Sequence, residues 1–363
     1  MFTKTITKNL LLFISFIVVV PRLPIVLRDY VHYDAGAEIT VLDASIKAGH
    51  YVPSRHPGSI LAEMVFSLLR MLGEWVNIPP YLFTNGLCLL ASIGTLYFGY
   101  KILLRWFPIK DALLTIAIFN FQPQMFIFGG ATADITLLLF FMTYSVYLFY
   151  EGKIAYSILI AWIGCFCKIQ GLALLVPLLG YWAFQKNFLY RAALSALLLV
   201  IVMLPGFSYF GFSVFNPGIH ANTITYFQKL VAAVYRLINS WGIIGFPLLV
   251  ILLCHKLRSA EFRRHMFTSI VAWMTLFTLV IFRFAPMEAH YLLPVVFVAI
   301  VFWMKFYREL PFSKYLQIAM VISILLSNFV QVRIRPWKAH FIEIYPGVIQ
   351  AHFNEQWVIK GGG

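Results

Sequence analysis

Two acidic residues four apart, Asp34 and Glu38 in His32-Tyr-Asp-Ala-Gly-Ala-Glu38, follow closely on an apolar run and precede Ser54-Arg55-His56-Pro-Gly58. If residues 36 to 48 form a helix, both carboxylates fall in its first turn. A carboxylate held partly buried beside a partner acquires the raised pKa that suits a general base, whereas a solvated surface acid, the ordinary case, does not. Asp134, in Gly129-Gly-Ala-Thr-Ala-Asp134, opens a leucine-rich stretch, where a carboxylate serves equally well as a cap on the free N–H groups of a helix start. Lys168 interrupts the apolar run from Ala161 to Gly171, so its ammonium requires an anion. That anion is either a phosphate, which lysine binds as a compact point charge, or Asp134 in a buried ion pair. Arg283 and Glu288-Ala-His290-Tyr-Leu-Leu-Pro294 add further cationic and titratable groups, although a lone histidine at a helix boundary is more often structural.

These residues must be positioned by membrane helices. The 363 residues are 61% hydrophobic and only 12% charged, against about 25% charged in soluble domains. A bilayer core of about 30 Å asks for about 20 apolar residues per helix, and runs of that order recur along the chain. The sequence predicts an all-α, polytopic bundle of about eleven spans, near 9–27, 81–104, 111–128, 134–150, 154–168, 170–185, 190–208, 236–254, 267–283, 290–307 and 314–331. The short pair around Lys168-Ile-Gln-Gly171 reads as two half-depth helices meeting at a turn. Residues 53–75, with Glu63, Arg70 and Glu74, read as a helix lying in the membrane interface. On this division 1–331 is one membrane domain with a large first loop at 28–80, 332–360 is a short tail, and Gly361-Gly-Gly363 is a vector remnant. Lys4 and Lys8 ahead of the first apolar run mark an uncleaved first helix.

The formal charge of +14 does not point to nucleic acid, because the basic residues are scattered between apolar runs. Concentrated in alternate loops, most densely from Lys256 to Arg264, they fit the positive-inside rule with a cytoplasmic N-terminus and contact with anionic lipid. Asp34, Glu38, Arg55, His56, Asp134, Lys168, Arg283, Glu288 and His290 then all lie at the outer boundary. Ionisable groups at that depth are costly to desolvate, so their convergence on one face is a functional signal, set against the alternative that single members snorkel from helix ends. Cys88, Cys165, Cys167 and Cys254 lie in apolar runs with neither disulfide nor zinc spacing. No glycine-rich phosphate loop is present.

At these positions the chain resembles the GT-C superfamily of integral-membrane glycosyltransferases, which take a sugar from a polyprenyl-phosphate carrier. The likeness runs in order through Tyr33-Asp34-Ala35, Gly49-His-Tyr51, His56-Pro-Gly58, Ala133-Asp134, Lys168-Ile-Gln-Gly171 and His290-Tyr-Leu-Leu-Pro294. It implies that Asp34 is the catalytic base, that Glu38, His56, Asp134 and Glu288 support it or the acceptor, and that Lys168, Arg55, Arg283 and His290 hold the donor phosphate. Many members carry Asp-Glu where this chain has Asp34-Ala35, a departure that resembles single-aspartate members such as some mannosyltransferases, and fits a reaction with no metal and no cofactor. The partners implied are a polyprenyl-phosphate sugar, a lipid or glycan hydroxyl acceptor and the surrounding lipid, at the outer face of a membrane such as the bacterial inner membrane. The enzymatic rival is an O-antigen polymerase or ligase using a diphosphate-linked donor, whose reacting residues are expected in a large late loop. The non-enzymatic rival is a lipid or glycan transporter, whose charges should line a path through the bilayer with related halves.

Overall fold

The computed structural model describes residues 2–29, 35–54, 59–185, 187–211, 225–284, 289–334 and 342–346. The chain is all-helical apart from one hairpin, and it divides into two compact units. Residues 1–106 with 126–215 form the first, and 107–125 with 216–361 the second.

The first unit is built on α1 (Phe2–Val26), α2 (Ala35–Glu38), α3 (Val41–Ala48), α4 (Ile60–Trp75) and α5 (Pro80–Leu103). In the second unit lies α6 (Ile109–Asn120), and α7 (Pro123–Phe128) leads back to the first, where α8 (Asp134–Tyr150), α9 (Ile154–Cys167), α10 (Leu172–Ala183) and α11 (Phe188–Phe210) follow. Helices α8 and α9 pack along their length, and Ser145 and Ser157 lock them: each hydroxyl donates to the other's carbonyl, at 2.8 and 2.9 Å. Such reciprocal bonds replace hydration the apolar surroundings cannot supply. Gly164 lets the helices close, since a Cβ there would sit 3.0 Å from the Cβ of Phe141.

Helix α4 is amphipathic in the inverted sense. Its buried residues include Glu63, Phe66 and Ser67, while Leu68, Met71, Leu72 and Trp75 are exposed, the last at 80%. A helix that turns its polar stripe inward and its apolar residues outward is suited to lipid rather than water. Both α5 and α11 are long and apolar enough to cross a bilayer, and the bent pair α12–α13 would add a third crossing if it counts as one span.

The second unit continues with α12 (Tyr226–Trp241), α13 (Gly245–Leu257), α14 (Ala260–Thr268), α15 (Ile270–Phe284), α16 (Leu293–Phe306) and α17 (Ser313–Leu326), then the antiparallel strands β1 (Val330–Ile334) and β2 (Ile342–Pro346), which pair Val330 with Pro346 and Ile334 with Ile342. Several stretches differ from the sequence expectation, and 111–128 is one of them, divided between α6 and α7. Residues 236–254 are not one helix: α12 and α13 meet at 100°. The break is held by Ser323 of α17, whose hydroxyl donates to the carbonyl of Trp241 at 3.1 Å and accepts from the amide of Gly245 at 2.9 Å. Gly242, at φ +76°, makes the turn, and a Cβ there would overlap Ser323. The stretch 314–331 is helical only to Leu326, and Val330 already belongs to the hairpin. In the first unit, residues 36–48 are likewise two helices rather than one, divided at Ile39–Thr40, where the Thr40 hydroxyl bonds back to the carbonyl of Ala37 at 3.1 Å.

Candidate functional site

The site lies in the first unit, where α2 and α4 of the first loop meet the start of α8 and the turn between α9 and α10. Its foundation is the segment from Gly129 to Ala133 that delivers Asp134. Thr132 donates its amide to Asn85 Oδ1 at 2.8 Å and packs its hydroxyl against Asn85 Oδ1 and Thr84 Oγ1, at 2.7 and 2.6 Å. Ser92 donates to the carbonyl of Gly129 at 3.0 Å, and Asn85 Nδ2 reaches the carbonyls of Val26 and Arg28 at 3.3 and 3.2 Å. The fully buried Arg22 donates from Nε to the carbonyl of Phe126 at 3.0 Å, and Gly130 leaves room for its side chain. Polar residues on α1 and α5 thus satisfy the irregular backbone that an apolar environment would otherwise penalise.

Asp134 is the first residue of α8 and 1% exposed, and Lys168 is 4% exposed. Lys168 Nζ donates to Asp134 Oδ1 at 2.6 Å, and Ser59 Oγ donates to Oδ2 at 2.8 Å. Ser59 precedes α4 but makes no cap bond with its side chain; its hydroxyl is committed to Asp134 instead. The carboxylate also sits in the first turn of α8, where the helix dipole favours negative charge. Of the two anions the sequence offered to Lys168, the geometry supplies Asp134.

Lys168 is presented by a break in the helix path. Helix α9 has 14 residues and α10 has 12, about 21 and 18 Å at helical rise, each short of a bilayer core. Between them Lys168 is extended and Ile169–Gly171 form a 3-10 turn. Gly171 is required there: a Cβ would lie 2.9 Å from the backbone of Cys165.

Two more carboxylates complete the cluster. Glu38, at the end of α2, is fully buried. Burial first, then the negative charge of Asp134, raises its carboxyl well above the usual glutamate range, with Lys168 opposing and Glu63 adding to the rise. Glu63, also fully buried, accepts from the Tyr51 hydroxyl, from Ser54 N at 3.1 Å and from Ser54 Oγ at 2.5 Å. Burial and the Glu63 charge raise the Tyr51 phenol above its ordinary value, which keeps it a donor. Among the described residues the cluster brings three carboxylates to one ammonium, and burial favours the neutral form of Glu38.

Of the residues singled out in the sequence, Glu38, Asp134 and Lys168 are brought together. Asp34, Arg55, His56 and Glu288 lie outside the described residues, although Asp34 directly precedes α2 in the chain and Arg55 directly follows Ser54. Arg283 ends up in α15 and His290 in a 3-10 turn of the second unit, and their side chains also lie outside the described set. Sequence reasoning missed Tyr51, Ser54, Ser59 and Glu63 as members of the cluster. A signal existed: Glu63, Ser67 and Arg70 recur at helical spacing along one side of an otherwise apolar helix. Among the described residues no three His, Cys, Asp or Glu side chains are grouped to hold a metal ion.

No protein-family model matches the chain, and no characterised protein or solved structure matches it either.

Proposed function

We propose that this chain is a polytopic membrane glycosyltransferase of the GT-C type, with about eleven membrane crossings, a cytoplasmic N-terminus and its reaction at the outer face. The observation that carries the reading is the buried cluster of Glu38, Glu63, Asp134 and Lys168. Groups so costly to desolvate are retained where chemistry or transport needs them, and here two of them, Glu38 and Glu63, belong to the first loop in which the resemblance places the base. Glu38 enters from α2, Glu63 through its bonds to Tyr51 and Ser54, and Ser59 through its bond to Asp134.

The reaction is a single displacement. Asp34 accepts the proton of the acceptor hydroxyl; that oxygen forms a bond to the anomeric carbon; and the bond from carbon to phosphate oxygen breaks, its electron pair leaving with the polyprenyl phosphate and the sugar inverting. With Lys168 engaged by Asp134, its part is to fix the α9–α10 turn, and the charge of the departing phosphate falls to the other cations that the resemblance offers, Arg283 and His290 with Arg55. For Arg283, Glu288 and His290 the resemblance is the whole support. Native mass spectrometry of the detergent-purified chain tests the donor class. A retained or readily added polyprenyl-phosphate sugar supports it, and failure of every added polyprenyl phosphate to bind contradicts it.

A further inference from the structure

One end of the second unit carries positive charge that the protein leaves uncompensated. From the 3-10 turn Tyr307–Glu309, Arg308 reaches Asp111 in the first turn of α6 at 2.8 Å, and Glu309 takes Lys256 in the last turn of α13 at 2.9 Å. The Phe262 ring of α14 packs on Phe302 and Phe306 of α16, with ring centroids 5.8 and 5.7 Å apart, so the same end gathers α6, α13, α14, α16 and the start of α17. A third carboxylate, Glu261, faces His265 at 3.6 Å. Lys110, Arg258, Arg264, Lys305 and Lys314 are exposed, and none of them meets a carboxylate among the described residues. Arg263 is set apart from these, because its guanidinium donates to the carbonyls of Leu257 and Arg258 at 2.6 and 3.2 Å and closes the end of α13. Apolar and aromatic residues border the cations. Val250, Ile251 and Leu253 are exposed on α13 just ahead of the basic segment, and Phe312 and Tyr315 are 78% and 71% exposed on either side of Lys314. Phe312 stands at φ +58°, a left-handed conformation that a bulky residue holds only at a cost, and there it turns a large apolar ring to the outside.

We infer that this end of the second unit is a docking surface for the acidic phospholipid headgroups of one bilayer leaflet. Lipid docking here is independent of the reaction proposed above and requires only that the helices lie in a membrane. Charge and apolar exposure together select the partner. A soluble polyanion would answer the cations and leave Val250, Ile251, Leu253 and Phe312 in water, while a zwitterionic leaflet would cover those residues and bring the cations no net charge. Acidic phospholipid supplies acyl chains to the first set and phosphates to the second. Tyr315 is of the type that concentrates at membrane–water interfaces, and arginine and lysine beside it complete the usual anchor.

The test is native mass spectrometry of the full-length chain, delipidated in detergent and titrated with phosphatidylglycerol or phosphatidylcholine of the same acyl chains. Wild type is expected to bind phosphatidylglycerol the more tightly. Arg258→Gln/Arg264→Gln is expected to lose more than roughly tenfold in that affinity, at about fivefold for each cation near an anionic surface, with phosphatidylcholine binding unchanged. A matched variant of the first unit, Lys101→Gln/Lys153→Gln, should keep the preference. Phe312→Gly relieves the left-handed strain and is expected to melt no lower than wild type while weakening the binding of both lipids. Equal affinity of wild type for the two lipids overturns the inference. So does a preference that survives Arg258→Gln/Arg264→Gln, or one that Lys101→Gln/Lys153→Gln removes as fully, since total charge would then explain it. Lipid binding unaltered by Phe312→Gly, or displacement of bound phosphatidylglycerol by polyglutamate, would overturn it in favour of a soluble acidic partner.

Discussion

Breaking the Lys168–Asp134 pair from one side should destabilise the first unit strongly, and breaking it from both sides should restore much of the loss. The side chains are 5% and 2% exposed and 2.6 Å apart, so Lys168→Met removes the ammonium that faces the buried Asp134 carboxylate, and Asp134→Asn removes the charge that faces the buried Lys168. Stranding one member of a buried pair costs about 3 to 5 kcal/mol. At about 2 to 4 °C per kcal/mol for a unit of 150 to 250 residues, the expected fall in melting temperature is roughly 6 to 20 °C for either variant. The double variant Lys168→Met/Asp134→Asn removes both charges, keeps side-chain volume close to the original and leaves Ser59 a partner. It should melt above both single variants, with a coupling energy of at least ~1 kcal/mol. Thermal melting of detergent-solubilised protein, followed by tryptophan fluorescence, reads all four corners of the cycle. Losses that simply add, or single variants within ~0.5 kcal/mol of wild type, would refute the ion-pair account. A Lys168→Met variant that melts normally but loses affinity for polyprenyl phosphate would return the lysine to the phosphate.

Three further outcomes follow from the same cluster. Because burial and Asp134 raise the Glu38 carboxyl above the ordinary glutamate value of 4.5, its contribution to stability is complete below that value and is lost as pH rises toward and through the folded-state value; Glu38→Gln should flatten this decline, and melting curves with the same slope in both proteins would contradict it. Glu63→Gln should weaken the anchor of Tyr51 and Ser54 by about 1.5 to 3 kcal/mol, the range for hydrogen bonds to a charged group, and limited proteolysis should then cut more readily between residues 51 and 58; unchanged protection would count against the anchor. Gly171→Ala forces a Cβ to within 2.9 Å of the Cys165 backbone and should cost about 1 to 3 kcal/mol by overpacking, measured as a fall in melting temperature, while a neutral substitution would mean that the turn has slack.

The all-helical class was legible because hydrophobic runs with scattered charges admit little else. Lys168 was legible because a cation within an apolar run is conspicuous, and the shortness of the helices beside it because the runs 154–168 and 170–185 are each too short to span. The partner of Lys168 was not, since nothing local tells which of two anions lies within 3 Å of a residue 34 positions away from one of them. Glu63 counted in the sequence, with Arg70 and Glu74, only as a charge that makes 53–75 interfacial rather than spanning; the inversion of α4, polar side inward, emerges only when α2 and α3 supply the inner surface. The bend at Gly242 depends on Ser323, 81 residues later in the chain, and glycine alone does not announce such an approach.

The most direct test of the central claim is turnover with a defined donor. Purified chain in lipid vesicles should convert a labelled polyprenyl-phosphate sugar to bare polyprenyl phosphate in the presence of hydroxyl acceptors extracted from the native envelope. Asp34→Asn should abolish that conversion while donor binding and melting temperature stay near wild type, because a general base acts in the transition state rather than in binding. Near-normal turnover by Asp34→Asn would remove the residue on which the mechanism depends, and a wild-type protein that leaves every polyprenyl-phosphate sugar intact would contradict the assignment itself.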